Sequence, residues 1–387
     1  MTEAVIVSAV RTPIGTAFKG ALRDTPAEHL ATAVLSAALE RSGLAAQDVD
    51  DVILAEELAG GGDIARYAAV AAGLTHVPGQ AVNRHCAASL AAVGNAAASI
   101  RAGMDRAVIA GGTHAASMNP RLSWRVPGSA EPRLGFGPTF PYYDGATDDV
   151  TLSVGWNTAL EAGITREELD AWAKRSHDRA VAAIDAGVFD DEIVPVTTLV
   201  EGEQIVFGVD EHPRRGSTLE KLATLKPLHP EIEGFSITAG NASGINDAAS
   251  ALALVGDDLA AERGLRPLAT VRAWAAVGVE PHRTGMGAVE VIPVVLKRAG
   301  LDIADVDLWE INEAFASVPI AACRLLGIDD GLVNVYGSGC SLGHPVAASG
   351  ARMLTTLAHE LRRRGGGVAV AAMCAAGGQG GAVVIEA

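Results

Sequence analysis

The feature that most restricts the fold is an internal repeat. The segment SGLAAQDVDDVILAEE begins at Ser42, and the related segment AGLDIADVDLWEINEA begins at Ala299. The identical residues lie at a constant separation: Gly43, Leu44, Asp48, Val49 and Asp50 correspond to Gly300, Leu301, Asp305, Val306 and Asp307. Self-similarity at so long a separation predicts a duplicated fold made of two similar halves.

Hydrophobic patterning extends the repeat and favours an α/β fold. The chain opens with an apolar strand at residues 4–10, a helical pattern at residues 25–42 and a second strand at residues 51–54, which is a β-α-β beginning. Each repeat continues as a strand, a turn, an alanine-rich helix and a buried strand that ends in a glycine-bearing loop. We therefore predict an α/β protein with ligand access at the ends of its strands.

A segment of different character separates the repeats. It begins near Met118 with RLSWRVPGSAEPRLGFGPTFPYYDG, which is rich in proline, glycine and aromatic residues, and continues with two polar helices. We interpret it as an inserted covering domain. The predicted divisions are a first half at residues 1–117 with 246–267, an inserted domain at 118–245, and a second half at 268–387.

Charge and cysteine content exclude several classes of function. The formal net charge of −16 at pH 7 argues against nucleic acid or an anionic membrane as a partner, because both require a basic face. AVIVSAVRTPIG follows no apolar leader, and no later stretch is long enough to span a bilayer, so we expect a cytoplasmic protein. The four cysteines lack paired C-x-x-C spacing, so we predict neither a metal site nor a disulfide framework.

Cys86 is the first candidate for a reactive group. In NRHCAASLAAVGNAAASI it lies where an extended segment gives way to an alanine-rich helix. We expect it in the first helical turn, where unpaired N–H groups and the helix dipole stabilise a thiolate. The alternative is that Cys86 is a small buried residue among alanines. The local sequence does not decide between them.

Three further motifs carry groups that are useful in proton transfer. His344 lies in the glycine-rich turn GSGCSLGHPVAASG, Cys374 ends an apolar strand before GGQGG, and Asn312 follows a strand in WEINEAFAS. A histidine on a rigid turn suits a general base, and the glycines after Cys374 provide backbone donors for an oxyanion. Each motif also has an ordinary interpretation, namely a hydrogen-bonded loop histidine, a hairpin turn and a helix N-cap.

The order of these motifs carries more information than any one of them. A cysteine at a helix start, TAGNASGIND, NEAFA, SLGHP and a cysteine before GGQG follow one another along the chain. In this order they resemble the thiolases, the acyl-CoA:acetyl-CoA C-acyltransferases, over nearly the whole chain. The resemblance implies duplicated halves, with mixed five-stranded sheets and helices between them, plus an inserted loop domain. It favours thiolases over related condensing enzymes because the second acid/base position is Cys374, where ketosynthases have a histidine.

The resemblance also assigns roles to the reacting groups. Cys86 is the implied acyl-accepting nucleophile and His344 the base that activates it. Asn312 positions a water that, with His344, holds the thioester oxygen, and Cys374 moves the proton of the acetyl carbon. The backbone N–H groups of Cys86 and Ala376 form a second oxyanion hole.

The same resemblance implies substrates and partners. Coenzyme A and acyl-CoA are the expected substrates, with no separate cofactor, in fatty acid metabolism such as beta-oxidation, and we expect a homodimer or homotetramer. The implied coenzyme A contacts are Arg214, Ala239, Ala242, Ser243 and Phe315.

Departures from the thiolase pattern leave two alternatives open. Family members often have a glycine-bearing segment after the nucleophile, whereas this chain has Ala87, Ala88 and Ser89, and Ala376 replaces a glycine. The alternatives are a related condensing enzyme with an unusual acyl partner and a non-catalytic protein that binds coenzyme A.

Overall fold

The computed structural model describes residues 2–57, 60–135, 137–141 and 145–387. The strands are β1 (Ala4–Arg11), β2 (Gly15–Thr16), β3 (Asp51–Ala55), β4 (Gly79–Val82), β5 (Ala107–Ala115), β6 (Ser123–Trp124), β7 (Arg133–Leu134), β8 (Val196–Val200), β9 (Glu203–Phe207), β10 (Asn246–Gly256), β11 (Ala269–Gly278), β12 (Leu308–Ile311), β13 (Val368–Ala375) and β14 (Gln379–Glu386). The α-helices are α1 (Ala27–Ser42), α2 (Ile64–Ala71), α3 (Ala88–Ala102), α4 (Asn157–Glu161), α5 (Arg166–Asp185), α6 (Leu219–Ala223), α7 (Asp257–Arg263), α8 (Gly287–Ala299), α9 (Ser317–Leu326) and α10 (Ser349–Arg364).

The main sheet has the same strand order in both repeats. In the first half, β1, β10, β5, β3 and β4 lie side by side, and in the second half β11, β14, β13 and β12 follow the same order. An isolated parallel bridge between Trp309 and Val333 occupies the place that β4 has in the first half. The two halves join where β1 pairs with β11. The predicted duplication of an α/β unit is therefore confirmed.

Helices form three layers around the two sheet halves. One buried cluster joins α1 and α2 to the outer face of the first half. A second joins α8 and α9 to the outer face of the second half. In the third cluster, α3 and α10 contact strands of both halves. These two alanine-rich helices therefore form the central layer, and their N-terminal ends follow the segments that carry Cys86 and His344.

Small residues allow the central helices to approach closely. A Cβ atom added to Gly350 of α10 would lie 2.8 Å from the backbone nitrogen of Leu90 in α3. The Ser89 hydroxyl accepts a hydrogen bond from the backbone N–H of Ala351 at 3.0 Å. Distances below 3.0 Å to backbone exclude any side chain at Gly350 without movement. The starts of α3 and α10 are therefore held in one arrangement.

The segment between β5 and β10 packs on both halves of the molecule. It carries the hairpins β6–β7 and β8–β9 and the helices α4 to α6. Leu169 and Trp172 of α5 belong to the cluster of the second half, whereas Phe189 and Ile193 pack with Ile14 near the first strand.

A buried guanidinium attaches this segment to β1. The Arg11 side chain is 1% exposed and contacts Glu192 at 2.6 Å and Asp210 at 2.8 Å. Asp210 also accepts a hydrogen bond from the backbone N–H of Ile14 at 2.7 Å. A charge that is buried so completely requires such partners, because desolvation otherwise costs several kcal/mol.

None of the helices in the described ranges combines the length and the apolar character that a membrane crossing requires.

We expect Arg11→Met to unfold at a much lower denaturant concentration than the unchanged protein. The substitution leaves the buried carboxylates of Glu192 and Asp210 without their cation, and breaking a buried pair in this way costs about 3–5 kcal/mol. Urea unfolding followed by circular dichroism measures the effect. Arg215→Met is the control, because Arg215 pairs with Asp185 at the surface, where ion pairs contribute little. Equal shifts in the two variants would contradict the anchoring role of Arg11.

Candidate functional site

Three of the candidate residues predicted from the sequence lie at the ends of different helices and strands, and these ends pack against one another. Cys86 lies between β4 and α3, His344 precedes α10, and Cys374 is the penultimate residue of β13. A Cβ atom on Gly381, which pairs across the sheet with Met373, would lie 2.8 Å from the Ala87 side chain. The start of α3 therefore lies directly against the β13–β14 hairpin.

Cys86 does not lie in the first turn of the helix, contrary to the sequence-based prediction. Helix α3 begins at Ala88, and its N-cap is Ala87. Burial raises the pKa of the Cys86 thiol to about 12, and the nearby Glu57 carboxylate raises it further. Burial therefore argues against the thiolate that the sequence suggested, because desolvation disfavours the charged form. At neutral pH the Cys86 thiol keeps its proton.

A backbone donor lies near the sulfur. The N–H of Ala376 lies close enough to the Cys86 thiol to lower its pKa, against the larger effect of burial. Ala376 lies in the turn of the β13–β14 hairpin, where Gly377 and Gly378 have φ values of 79° and 77°. The hairpin interpretation of this motif therefore holds, and the oxyanion-donor interpretation stays a prediction.

His344 is held in one orientation by two hydrogen bonds. Its backbone N–H donates to Asn246 Oδ1 at 3.0 Å. Its ring Nδ1 lies 2.7 Å from the Ser349 hydroxyl, which itself donates to the carbonyl of Pro345 at 2.9 Å. Because a hydroxyl has one hydrogen to donate, Ser349 accepts from His344, and the proton is on Nδ1. Nε2 then carries the lone pair of a base.

Burial keeps this imidazole uncharged. It lowers the pKa of His344 to about 3, with smaller contributions from His114 and Arg352. At neutral pH, the thiol of Cys86 and the imidazole of His344 are therefore both neutral.

Asn312 contacts the histidine ring and is not a helix cap. Its Nδ2 lies 3.4 Å from both ring nitrogens of His344. Helix α9 begins only at Ser317, with Ala316 as its N-cap, so the N-cap interpretation of Asn312 is wrong. Among the described residues, the buried Oδ1 of Asn312 has no hydrogen-bond partner. An unpaired acceptor of this kind fits the predicted role of orienting a water.

Cys374 is a buried thiol near Cys86. Burial raises its pKa strongly, and Cys86 contributes further in the same direction. Its side chain is 1% exposed. A thiol with so high a pKa keeps its proton at neutral pH, which is the state that a general acid requires.

Some of the predicted coenzyme A contacts lie together. Ala242 forms an antiparallel bridge with Phe315, and the N–H of Ser243 donates to the carbonyl of Ala314 at 2.9 Å. Arg214 and Ala239 are exposed. That these residues bind coenzyme A stays a prediction, as do the assigned roles of Cys86, His344, Asn312 and Cys374 and of the Ala376 donor.

Sequence reasoning missed three polar residues near the site. Ser349 lies one helical turn beyond His344 and is ordinary in sequence. Glu57 and His114 lie at the ends of β3 and β5, with His114 Nδ1 3.3 Å from Glu57 Oε2. The register of these parallel strands, which aligns Ala55 with Gly112, is the signal that pairs them.

In the ranges given above, no group of three or more histidine, cysteine or acidic side chains is arranged to hold a metal ion. The absence of a separate cofactor stays a prediction.

Models of known protein families match the chain over nearly its whole length. Residues 4–258 match the thiolase N-terminal domain and residues 265–387 match the thiolase C-terminal domain. An acetyl-CoA acetyltransferase of Escherichia coli (strain K12) is 42% identical, over 100% of this chain and 99% of the relative.

Two solved structures share the fold over the full chain. The acetyl-CoA acetyltransferase of Bacillus anthracis superposes with a TM-score of 0.92 at 40% identity, covering 100% of this chain and 99% of the other. Human mitochondrial 3-ketoacyl-CoA thiolase superposes with a TM-score of 0.91 at 34% identity and the same coverage. Both domain matches and full-length identities of this size lead to one conclusion: the chain belongs to the thiolase family.

Proposed function

We propose that this enzyme transfers an acyl group between 3-ketoacyl-CoA and coenzyme A through a thioester on Cys86. The observation that supports this most directly is the packing of the β13–β14 hairpin, which carries Cys374 and Ala376, against Ala87 beside Cys86. Acyl transfer requires a nucleophile, an oxyanion donor and a proton donor close to one another, and these residues are the ones that we assign to the three roles.

In the cleavage direction, the Cys86 sulfur attacks the keto carbon of 3-ketoacyl-CoA. The thiol proton passes to Nε2 of His344, which Ser349 keeps free to accept it. The bond between the keto carbon and the acetyl carbon breaks, and Cys374 gives its proton to the departing enolate. Acetyl-CoA leaves, and the shortened acyl chain remains as a thioester on Cys86.

In the second half-reaction, the thiol of coenzyme A attacks this thioester. The proton of the coenzyme A thiol passes to the Cys374 thiolate, and the negative charge that develops on the acyl oxygen is stabilised by the backbone N–H groups of Cys86 and Ala376. His344 and a water held on the free Oδ1 of Asn312 instead stabilise the enolate oxygen of acetyl-CoA in the first half-reaction. The bond from the acyl carbon to the Cys86 sulfur breaks, Cys86 takes back the proton that His344 had accepted, and the shortened acyl-CoA is released. The same steps in reverse give a Claisen condensation, and the concentrations of the metabolites set the direction.

The relatives' names support these substrates. The Escherichia coli relative is an acetyl-CoA acetyltransferase and the human one a 3-ketoacyl-CoA thiolase, so acyl-CoA and coenzyme A are the substrates that we assign. We further propose that the loop around Ala242 and Ser243, with Phe315 and Arg214, holds coenzyme A, and that the protein works as a homo-oligomer in the cytoplasm.

We expect intact-mass measurement to find one acetyl group on the protein after mixing with acetyl-CoA. Cys86→Ser should gain none. Cys374→Ser should still be acetylated, because thioester exchange requires no proton at the acetyl carbon, while thiolysis of acetoacetyl-CoA falls by about 10²–10⁴-fold. Absence of acetylation in folded wild-type protein that binds coenzyme A would support the non-catalytic alternative instead.

We expect Ser349→Ala to slow acetylation of Cys86 by about 10-fold or more, because the Nδ1–H of His344 loses its acceptor and the imidazole no longer keeps one tautomer. Rapid mixing with mass detection measures the rate. Ser8→Ala is the matched control, because the Ser8 hydroxyl is also buried but has no hydrogen-bond partner within the described ranges. A similar loss of rate in both variants would contradict the orienting role of Ser349.

We expect alkylation of Cys86 by iodoacetamide to accelerate with pH throughout the alkaline range. The raised pKa of about 12 means that the thiolate fraction keeps increasing with pH and does not saturate near neutrality. Peptide mass mapping at each pH measures the rate at this residue, and Cys86→Ser identifies background reaction. A rate that becomes constant near neutral pH would contradict the neutral thiol.

A further inference from the structure

Beside the nucleophile lies a carboxylate–imidazole pair that the reaction above does not use. Ala55 of β3 is aligned with Gly112 of β5, so Glu57 and His114 project from the ends of adjacent parallel strands. His114 Nδ1 lies 3.3 Å from Glu57 Oε2. A Cβ atom on Gly112 would lie 2.1 Å from the carbonyl of Ala347, so the end of β5 abuts the loop that carries His344.

The carboxylate of Glu57 is partly buried and receives no hydrogen bond from the described residues. Its side chain is 25% exposed, and burial raises its pKa. Its polar neighbours are His114, at 3.3 Å, and the thiol of Cys86. Burial lowers the pKa of His114 to about 4, so the ring is neutral at pH 7 and does not balance the charge.

The negative charge of Glu57 also disfavours ionisation of the Cys86 thiol during acyl transfer. Glu57 lies close enough to Cys86 to raise the pKa of its thiol, and a negative charge near a forming thiolate disfavours it. The partial loss of water around a carboxylate that no protein group donates to costs further free energy. Both costs fall if a ligand places a hydrogen-bond donor on Glu57 during acyl transfer.

We propose that Glu57 and His114 are specificity-determining residues that select acyl groups with a hydrogen-bond donor, a hydroxyl or an ammonium, within the first few atoms beyond the thioester carbonyl. The proposal rests on the proposed function, because the acyl group reaches this pair while it is bound to Cys86. Glu57 accepts the donor, and the neutral ring of His114, 3.3 Å from Oε2, lines the same position and limits the size of the group that reaches the carboxylate. An unsubstituted alkyl chain leaves the carboxylate unpaired.

The reaction that tests this is acylation of Cys86 by acyl-CoA. A thioester forms between the Cys86 sulfur and the acyl carbon, the bond from that carbon to the sulfur of coenzyme A breaks, and coenzyme A leaves with the thiol proton. Propanoyl-CoA, 3-hydroxypropanoyl-CoA and 3-aminopropanoyl-CoA have the same chain and differ only in the donor. Single-turnover rates are measured by intact mass.

We expect the wild-type protein to be acylated about tenfold or more faster by at least one donor-bearing chain than by the propanoyl chain, since a site built to bind a polar group discriminates against chains that lack it. Glu57→Val removes the acceptor and should abolish or reverse this preference. Glu57→Gln keeps the size and one acceptor, so the hydroxyl preference is retained and the ammonium preference falls. His114→Asn should weaken the preference without abolishing it.

Removal of the Glu57 charge should also change the reactivity of Cys86, which a purely structural role of Glu57 does not predict. Both Glu57 variants should react faster than wild type with iodoacetamide at Cys86, because the carboxylate no longer raises the thiol pKa. Unfolding temperatures confirm that each variant is folded, and Glu57→Gln serves as the isosteric case if Glu57→Val is unstable.

The possible results distinguish a failure of this inference from a failure of the proposed function. If acetyl-CoA acylates the wild type but the three chains react at equal rates, or if Glu57→Val keeps the wild-type preference, the inference is wrong and the acyltransferase proposal stands. If Glu57→Val loses acetylation as completely as Cys86→Ser, the carboxylate acts in the chemistry itself and its role as a selector is wrong. If acetyl-CoA acylates no variant, the proposed function fails first.

Discussion

The close approach of α3 and α10 determines where the reacting groups lie. Gly350 permits backbone contact with Leu90, and Gly381 permits contact of β14 with Ala87. Larger side chains at these positions would separate the two helix starts by an ångström or more, and hydrogen-bond and proton-transfer distances do not tolerate such a change. The alanine and glycine content of the sequence is therefore a requirement of the site as well as of the core.

Burial decides the protonation states in this site. Helix starts usually favour thiolates, yet here desolvation raises the pKa of Cys86 and lowers that of His344. Both groups are therefore uncharged at neutral pH. Fixed polar groups lie beside them, namely the Ala376 N–H near Cys86 and the Ser349 hydroxyl on Nδ1 of His344.

The sequence predicts the architecture better than the environment of its reactive groups. Duplication, the strand–helix alternation and the positions of His344 and Cys374 follow from a repeat and from motifs that are each legible in a short stretch of sequence. The pairing of Glu57 with His114 depends on strand register, and the role of Ser349 depends on a loop conformation, so neither has a local signal. The sign of the Cys86 pKa shift depends on burial by distant elements, which no neighbouring residue reveals.

The repeated strand order does not distribute the candidate reactive residues equally between the two halves. Although the halves are alike in architecture, they are unlike in chemistry: Cys86 belongs to the first, while His344, Asn312 and Cys374 belong to the second. The acyl transfer proposed above draws on groups from both halves. A cut between the halves would therefore separate Cys86 from the groups that we propose move its proton.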